Sequence, residues 1–299
     1  MNARNVRVAA LVFTAALLMP AVAARAASDA PRDAYEETVD QTFPLNPDGA
    51  FSLTNINGAV TLTAWDKPEV HVVAVKKMKQ ESDGWWLSRI IGLKGSSLKT
   101  DADAQALFKE FRVEFGGDQA ARTVVTRQPR TQGVNFSVRY EVSAPKGAKI
   151  SIDTVNSSVE VSGIQAGAKL ETTNGAVRVS DARGTLHTQS TNGRVTLEGV
   201  AGAIIATTTN GSVSASLRPD AKLEAIDMSS VNGSVRLSVP ASAGFDLTAR
   251  TVNGSVSCEI PLASISAQTR KRLEAKIGAS GPRVELSTVN GSVRISSAG

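Results

Sequence analysis

Along most of this chain, apolar and polar residues alternate in short runs that break at the same kind of place. Asn57, Asn156, Asn174, Asn192, Asn210, Asn232, Asn253 and Asn290 each open one pattern, followed by Gly, or in one case by Ser157. Three residues later stands Val60, Val159, Val177, Val195, Val213, Val235, Val256 or Val293. Five residues later the column reads Leu62, Val161, Val179, Leu197, Ala215, Leu237, Cys258 and Ile295. Between these columns lie Thr61, Glu160, Arg178, Thr196 and other residues suited to water. A period of two with one apolar face predicts a strand. Six residues before each Asn, Phe51, Ile150, Ala168, Leu186, Ile204, Ile226, Leu247 and Val284 predict a second strand, again apolar on one side. Each unit therefore reads as strand, Asn-Gly corner, strand and second turn, with Gly163, Gly184, Gly199 and Gly202 helping the return.

The asparagines recur at intervals of 18 three times, then 22 and 21, then 37, or about two repeats. Such a period means a stacked array in which each unit is stable because its neighbours cover it. Asn-Gly is a hairpin signal, which would give antiparallel meanders. Like residues recurring at identical columns instead favour parallel stacking, an all-β parallel β-helix with rungs of about 18–22 residues. Gly is expected at the corner for its access to positive φ, and Asn could bond its equivalent one rung away in an amide ladder. Thr154, Thr172, Ser190, Thr208, Ser230 and Thr251 form a hydroxyl column two residues before Asn. Periodicity leaves its direction open, because the residue next to Asn is always Val, Thr or Ile. A transmembrane β-barrel needs strands of about ten residues and aromatic girdles; with aromatics at 4%, the chain does not fit one.

Two segments interrupt the repeats. In 80–149, Ala104, Leu107, Phe108 and Phe111 predict a short amphipathic helix, with Asp101 or Asp103 as N-cap. Val113 to Phe115, Thr123 to Thr126 and Val134 to Val142 read as strands, and this small α/β insert is expected to close the N-terminal end of the stack. In 262–277, Leu262, Ile265, Leu273 and Ile277 before Gly278 predict a short C-terminal helix; its Arg270-Lys271-Arg272 run reads as a solvated face. The expected organisation is thus 1–26 signal peptide, 27–50 linker and first strand, and one domain over 51–299. Within that domain, 51–79 is the first repeat and 150–299 the main stack.

The compartment follows from the first residues. Arg4 and Arg7 precede an apolar run from Val8 to Ala23, and Ala24-Arg25-Ala26 supplies a small-x-small cleavage site. An uncleaved anchor is the alternative, but the run is short for a span. No Cys follows the site, which argues against a lipoprotein, and no later stretch is long and apolar enough to cross a bilayer. The mature protein is expected in the periplasm or at the cell surface. Loss of the three arginines of 1–26 leaves +2 of the formal +5, so nucleic-acid binding has no electrostatic support. Cys258, the single cysteine, excludes an intramolecular disulfide and a cysteine-based metal site.

Little catalytic material is present. His71 and His187 are the only histidines, both expected on polar faces, and no phosphate loop or Gly-rich Asp repeat appears. Cys258 reads as a small core residue. Asp153, Glu171 and Gln189 share an outward column, which suits a solvated face better than a glycosidase pair. Only Thr207 and Thr209 form an outward Thr-x-Thr pair, too little for an ice-binding face. The expectation is no catalytic residue, no cofactor and no metal. The most unusual stretch is Trp85, Trp86 and Leu87, followed by Ile90 and Ile91. It reads as a lid on the stack or as a contact surface for membrane, glycan or partner protein.

The recurring [Thr/Ser]-[Val/Thr]-Asn-Gly-[Ser/Ala]-Val pattern behind a signal peptide resembles a bacterial adhesin-like β-strand-repeat family, a domain of unknown function. That family is similar to autotransporter-adhesin heads and toast-rack envelope modules. The resemblance covers Phe51 to Lys79 and Ile150 to Gly299. It implies a right-handed parallel β-helix without catalytic residues. The expected function is a non-enzymatic envelope protein offering a rigid surface to an envelope protein, glycan or lipid. A stress sensor bound to a membrane regulator or lipid is the alternative, and a polysaccharide-active enzyme the third class. A last rung at Asn290 to Ser297 with little chain after it suggests end-to-end association of copies.

Overall fold

In a computed structural model of the chain, the described residues are 34–80, 101–131, 133–278 and 281–297. The signal segment 1–26 and the Trp85, Trp86, Leu87, Ile90 and Ile91 stretch lie outside them. Strands β1 (Ala34–Pro44), β2 (Ala50–Thr54), β3 (Val60–Trp65) and β4 (Glu69–Gln80) precede helix α1 (Asp101–Glu110). Then come β5 (Arg112–Gly117), β6 (Ala121–Arg127) and β7 (Val134–Pro145). The regular repeats supply β8 (Lys149–Thr154), β9 (Val159–Ser162), β10 (Ala168–Asn174), β11 (Val177–Ser180), β12 (Leu186–Asn192) and β13 (Val195–Val200). They continue through β14 (Gly202–Asn210), β15 (Val213–Leu217), β16 (Leu223–Asn232), β17 (Val235–Val239), β18 (Phe245–Asn253) and β19 (Val256–Cys258). The chain closes with β20 (Ser264–Gln268), β21 (Arg272–Ile277), β22 (Arg283–Asn290) and β23 (Val293–Ser297).

The described residues are all-β apart from α1, and their strands form two sheets of 11 and 12 strands. Successive repeat strands fall in opposite sheets: β8, β10, β12, β14 and β16 in the larger, β9, β11, β13, β15 and β17 in the other. Each pairs in parallel with its equivalent one coil away. Ala168 lies between Ile150 and Leu186, and Val177 between Val159 and Val195. The Asn-Gly corners therefore carry the chain from one sheet to the other, and the hairpin alternative is excluded. Both apolar columns turn inward: Phe51, Leu186, Ile204, Val177, Val195 and Val213 are fully buried in one continuous core. A buried aliphatic side chain contributes about 1.5–3 kcal/mol, repeated at every level of the stack.

The corner glycine is required for a different reason from the one expected. Positive φ occurs at Gly58, but Gly175, Gly193, Gly211, Gly233, Gly254 and Gly291 do not adopt it. A Cβ at Gly193 would instead overlap the carbonyl of Gly175 one coil below, so only hydrogen fits between the stacked corners. Positive φ is needed at the second turn, where Gly163 has 78°, Asp181 50° and Gly199 61°.

Two further expectations are corrected. Residues 262–277 form no helix: β21 pairs antiparallel with β18, and β20 with β21. Leu273 and Ile277 are spaced at i, i+4, which fits a period of 2 as well as 3.6; Ala275, buried between them, settles it as a strand. The coil of Asn290 is also not the end of the stack. β22 lies between β16 and β18, and β23 between β17 and β19, so the last coil in sequence is inserted between two earlier ones. This removes the basis for reading Asn290 to Ser297 as an open end.

At the other pole, the described part of 80–149 adds strands to both sheets. β7 runs parallel to β3 and antiparallel to β4, which pairs with β1. β6 and β5 extend the opposite sheet beyond β2. α1 leads into Phe111, which is fully buried, edge-on to Phe136 at 5.0 Å and to Phe108 at 6.2 Å. Beneath the helix, the buried Lys76 ammonium meets the Glu37 carboxylate at 2.7 Å and lies 4.7 Å from the Phe108 ring centre. A charge this deep persists because it is paired and faces aromatic rings.

Candidate functional site

The eight asparagines form one file. Asn156 donates from Nδ2 to Asn57 Oδ1 at 2.8 Å, Asn174 to Asn156 at 2.8 Å, and Asn192 to Asn174 at 2.8 Å. Asn210 continues to Asn192 at 2.7 Å and Asn232 to Asn210 at 2.8 Å. Asn290 donates to Asn232 and Asn253 to Asn290, each at 2.8 Å, which confirms the inserted position of the last coil. At the head of the file, Asn57 donates to the Phe136 carbonyl at 3.0 Å. All these amides point the same way, so each bond polarises the next. The side chains are exposed but use their amide groups within the file, a structural role.

Parallel to the file runs the hydroxyl column, which faces inward. Ser190 donates to the Gly175 carbonyl at 3.0 Å, Thr208 to Gly193 at 2.8 Å, Ser230 to Gly211 at 2.8 Å and Thr288 to Gly233 at 2.7 Å. These bonds satisfy the corner carbonyls that no ladder bond reaches. The neighbouring column is therefore the outward one. It leaves Val155, Val231, Val252 and Val289 exposed among Thr173, Thr191 and Thr209.

In the first coil Asn55 replaces the hydroxyl. Its amide donates to the Gly58 carbonyl at 2.8 Å and the Val138 carbonyl at 3.0 Å, while its oxygen accepts from Thr126 at 3.0 Å. Because the Thr126 proton is committed to Asn55, the Tyr140 hydroxyl donates to Thr126 Oγ1, 2.7 Å away. Burial pushes the Tyr140 phenol from 10 up to about 12. The folded state holds this proton more tightly, so its stabilising contribution is complete below pH 10 and is lost as pH rises through about 12. The loss expected is roughly 2–3 kcal/mol. Denaturant titrations at pH 9 and pH 12 should show that excess fall in the wild type and its absence in Tyr140→Phe.

The polar columns of the larger sheet meet on its outer face near the N-terminal pole. Asp153 pairs in register with Glu171, and Glu171 with Gln189, as their column predicted. Beside them Lys169 lies between Ser151 and His187, and Ser151 pairs with Ser52. Lys169 Nζ is 3.0 Å from Glu171 Oε1 and holds that carboxyl below its ordinary value. Asp153 is pushed the opposite way, first by burial and then by a hydrogen bond and repulsion from Glu171. The two acids thus behave unequally, Asp153 keeping a proton more readily and Glu171 remaining charged. Next to them is an open hollow of about 480 Å³ with Ala50, Ser52, Ser151 and Gly167 in its lining and Lys149, Lys169 and His187 at its polar positions. Lys149 is exposed and has no ion-pair partner among the described residues. The sequence reading missed this grouping, because each column by itself looks like a solvated face. The available signal was small residues beside Lys149 and Lys169 on neighbouring strands.

Elsewhere, His71 accepts or donates a hydrogen bond with Asp40 at 2.8 Å and stacks on Trp65 at the surface. Cys258 is half-buried on the short β19, its thiol pushed up by burial. Neither lies near the hollow's residues in the pairing order. Among the described residues no group of three or more His, Cys, Asp or Glu is placed to hold a metal ion, and no helix is long and apolar enough to cross a membrane.

The family model described as Toastrack DUF4097 matches residues 130–296. A crystal structure described provisionally as a cell adhesion protein, from Clostridium sporogenes, is similar with 11% identity and a TM-score of 0.35, covering 88% of this chain and 100% of that one. A provisional adhesin from Bacteroides fragilis is similar with 10% identity and a TM-score of 0.37, covering 88% and 97%. A provisional lipid-binding protein from Parabacteroides distasonis has 10% identity and a TM-score of 0.31 over 88% and 97%. No curated protein matches the sequence.

Proposed function

The chain belongs to the Toastrack DUF4097 family, and from that premise we propose a non-enzymatic, exported envelope protein whose stacked coils present a rigid surface to a partner. The coil is a right-handed parallel β-helix. Connections between parallel strands of one sheet are right-handed in about 98% of cases, and every coil here makes such a connection. The observation that carries the reading is the unbroken asparagine file, which ties eight coils together and fixes the faces they present. Preorganised faces lose little entropy on binding. The N-terminal signal-like segment and the adhesin-like repeat pattern support export to the periplasm or the cell surface.

The test is retention of the purified mature chain on immobilised envelope and host polysaccharides, with released reducing ends assayed in parallel. Retention without cleavage supports a binding scaffold. Cleavage of any polysaccharide overturns the non-enzymatic reading. Absence of retention, together with stoichiometric recovery of a membrane-bound regulator from envelope extracts, replaces it with stress sensing.

A further inference from the structure

The hollow on the outer face of the larger sheet has a chemistry that the scaffold reading does not use. Its floor comes from Ala50, Ser52, Ser151 and Gly167, side chains too small to fill the space above them. Lys149 pairs in register with Ala50, so nothing on that strand shields its ammonium. A volume of about 480 Å³ falls within the ordinary range for small-ligand sites, roughly 300–1,000 Å³.

The donors and acceptors narrow the ligand. Lys149 and Lys169 supply positive charge on adjacent strands, and His187 pairs in register with Lys169. Beside the hollow, Glu171 accepts from Lys169 at 3.0 Å and as a carboxylate only accepts, whereas His187 in the lining can donate or accept. Ser52 and Ser151, paired across neighbouring strands, add hydroxyls that can do either. Among the described residues the one aromatic in the lining is Phe51, and its side chain is fully buried in the core. A ligand matched to this set carries an anionic group and several hydroxyls.

We propose that this hollow binds a short acidic saccharide, with its anionic group on Lys149 and Lys169 and its hydroxyls on His187 and the paired serines. The assignment rests on the binding-scaffold reading and names the ligand class for one of its faces. The anionic group could be a uronate carboxylate or a sugar phosphate; both offer oxygen acceptors to the same ammonium groups.

The experiment is calorimetric and NMR titration of the mature protein with trigalacturonate, glucose 6-phosphate, maltotriose and inorganic phosphate. Saturable binding of trigalacturonate or glucose 6-phosphate, at least tenfold tighter than maltotriose and inorganic phosphate, is expected. Tighter trigalacturonate identifies the carboxylate source, and tighter glucose 6-phosphate the phosphate source. Lys149→Gln, an exposed position that should leave the thermal melt unchanged, is expected to weaken binding about tenfold; Ser151→Ala, also partly exposed, should weaken it several-fold. Equal affinity for maltotriose, absence of saturable binding to either acidic probe, or undiminished binding by Lys149→Gln overturns the assignment. Polysaccharide retention that persists in Lys149→Gln would leave the scaffold reading intact while removing this site from it.

Discussion

Gly193→Ala should destabilise the protein by about 3 kcal/mol or more, because overpacking against an immovable backbone lies at the upper end of such costs. The added methyl would collide with the Gly175 carbonyl oxygen and reach within 2.9 Å of Ser190 Oγ. Neither can retreat. The Gly175 carbonyl accepts the Ser190 hydroxyl at 3.0 Å, and its coil is fixed on both sides by parallel pairing. Separating the corners would also stretch the amide bonds of Asn192 to Asn174 and Asn210 to Asn192. Arg194→Ala, the next residue and exposed, is the control and should change stability by less than about 0.5 kcal/mol. Denaturant melts of the two variants check the contrast. Equal stability in both would mean that the corners are not stacked as closely as described.

The second large effect is expected at the opposite kind of position. Phe111→Ala should cost about 3–5 kcal/mol, the range for deleting a buried phenylalanine. Its ring is completely buried against Phe136 and Phe108, and the Lys76 ammonium lies 5.5 Å from its centre. Loss of the ring opens a cavity under α1 and loosens the helix above the Lys76–Glu37 pair. Repeat stacks are held by nearest-neighbour contacts, so the damage should stay at this pole. Limited proteolysis should cut within 101–127 while 150–297 stays resistant. Simultaneous loss of both regions would show that the two fold as one cooperative unit.

The sequence carries the coil itself with unusual clarity. Columns at three and five after Asn and six before it can be satisfied only by two strands with one apolar face each, and those columns are the core. The asparagine file was equally readable, since a polar residue repeated at a bend has its own equivalents as nearest partners. The stacking order was not readable, and the reason is the same regularity. Val284, Val293 and Ile295 fit between Ile226 and Leu247, Val235 and Val256, or Leu237 and Cys258 as well as beyond them. Interchangeable columns carry no information about level. In 262–277 the difficulty was a spacing shared by helix and strand. Periodicity left the direction of the hydroxyl column open, and the structure settles it: Thr208 is buried for its bond to Gly193 and its neighbour Thr209 is left outside. The hollow depends on relief, small side chains beside long ones on adjacent strands, which a column read one at a time does not show.

Insertion of the coil 283–297 between those of Asn232 and Asn253 sets a timetable for maturation. A chain made from its N-terminus can lay down coils through β17 as they emerge. β18 and β19 acquire their parallel neighbours only once residues 283–297 are available. Closure of that gap between distant segments is a slow class of folding step. The stack is therefore sealed by a coil that follows both of its neighbours in sequence, like a keystone placed after the courses on either side of it.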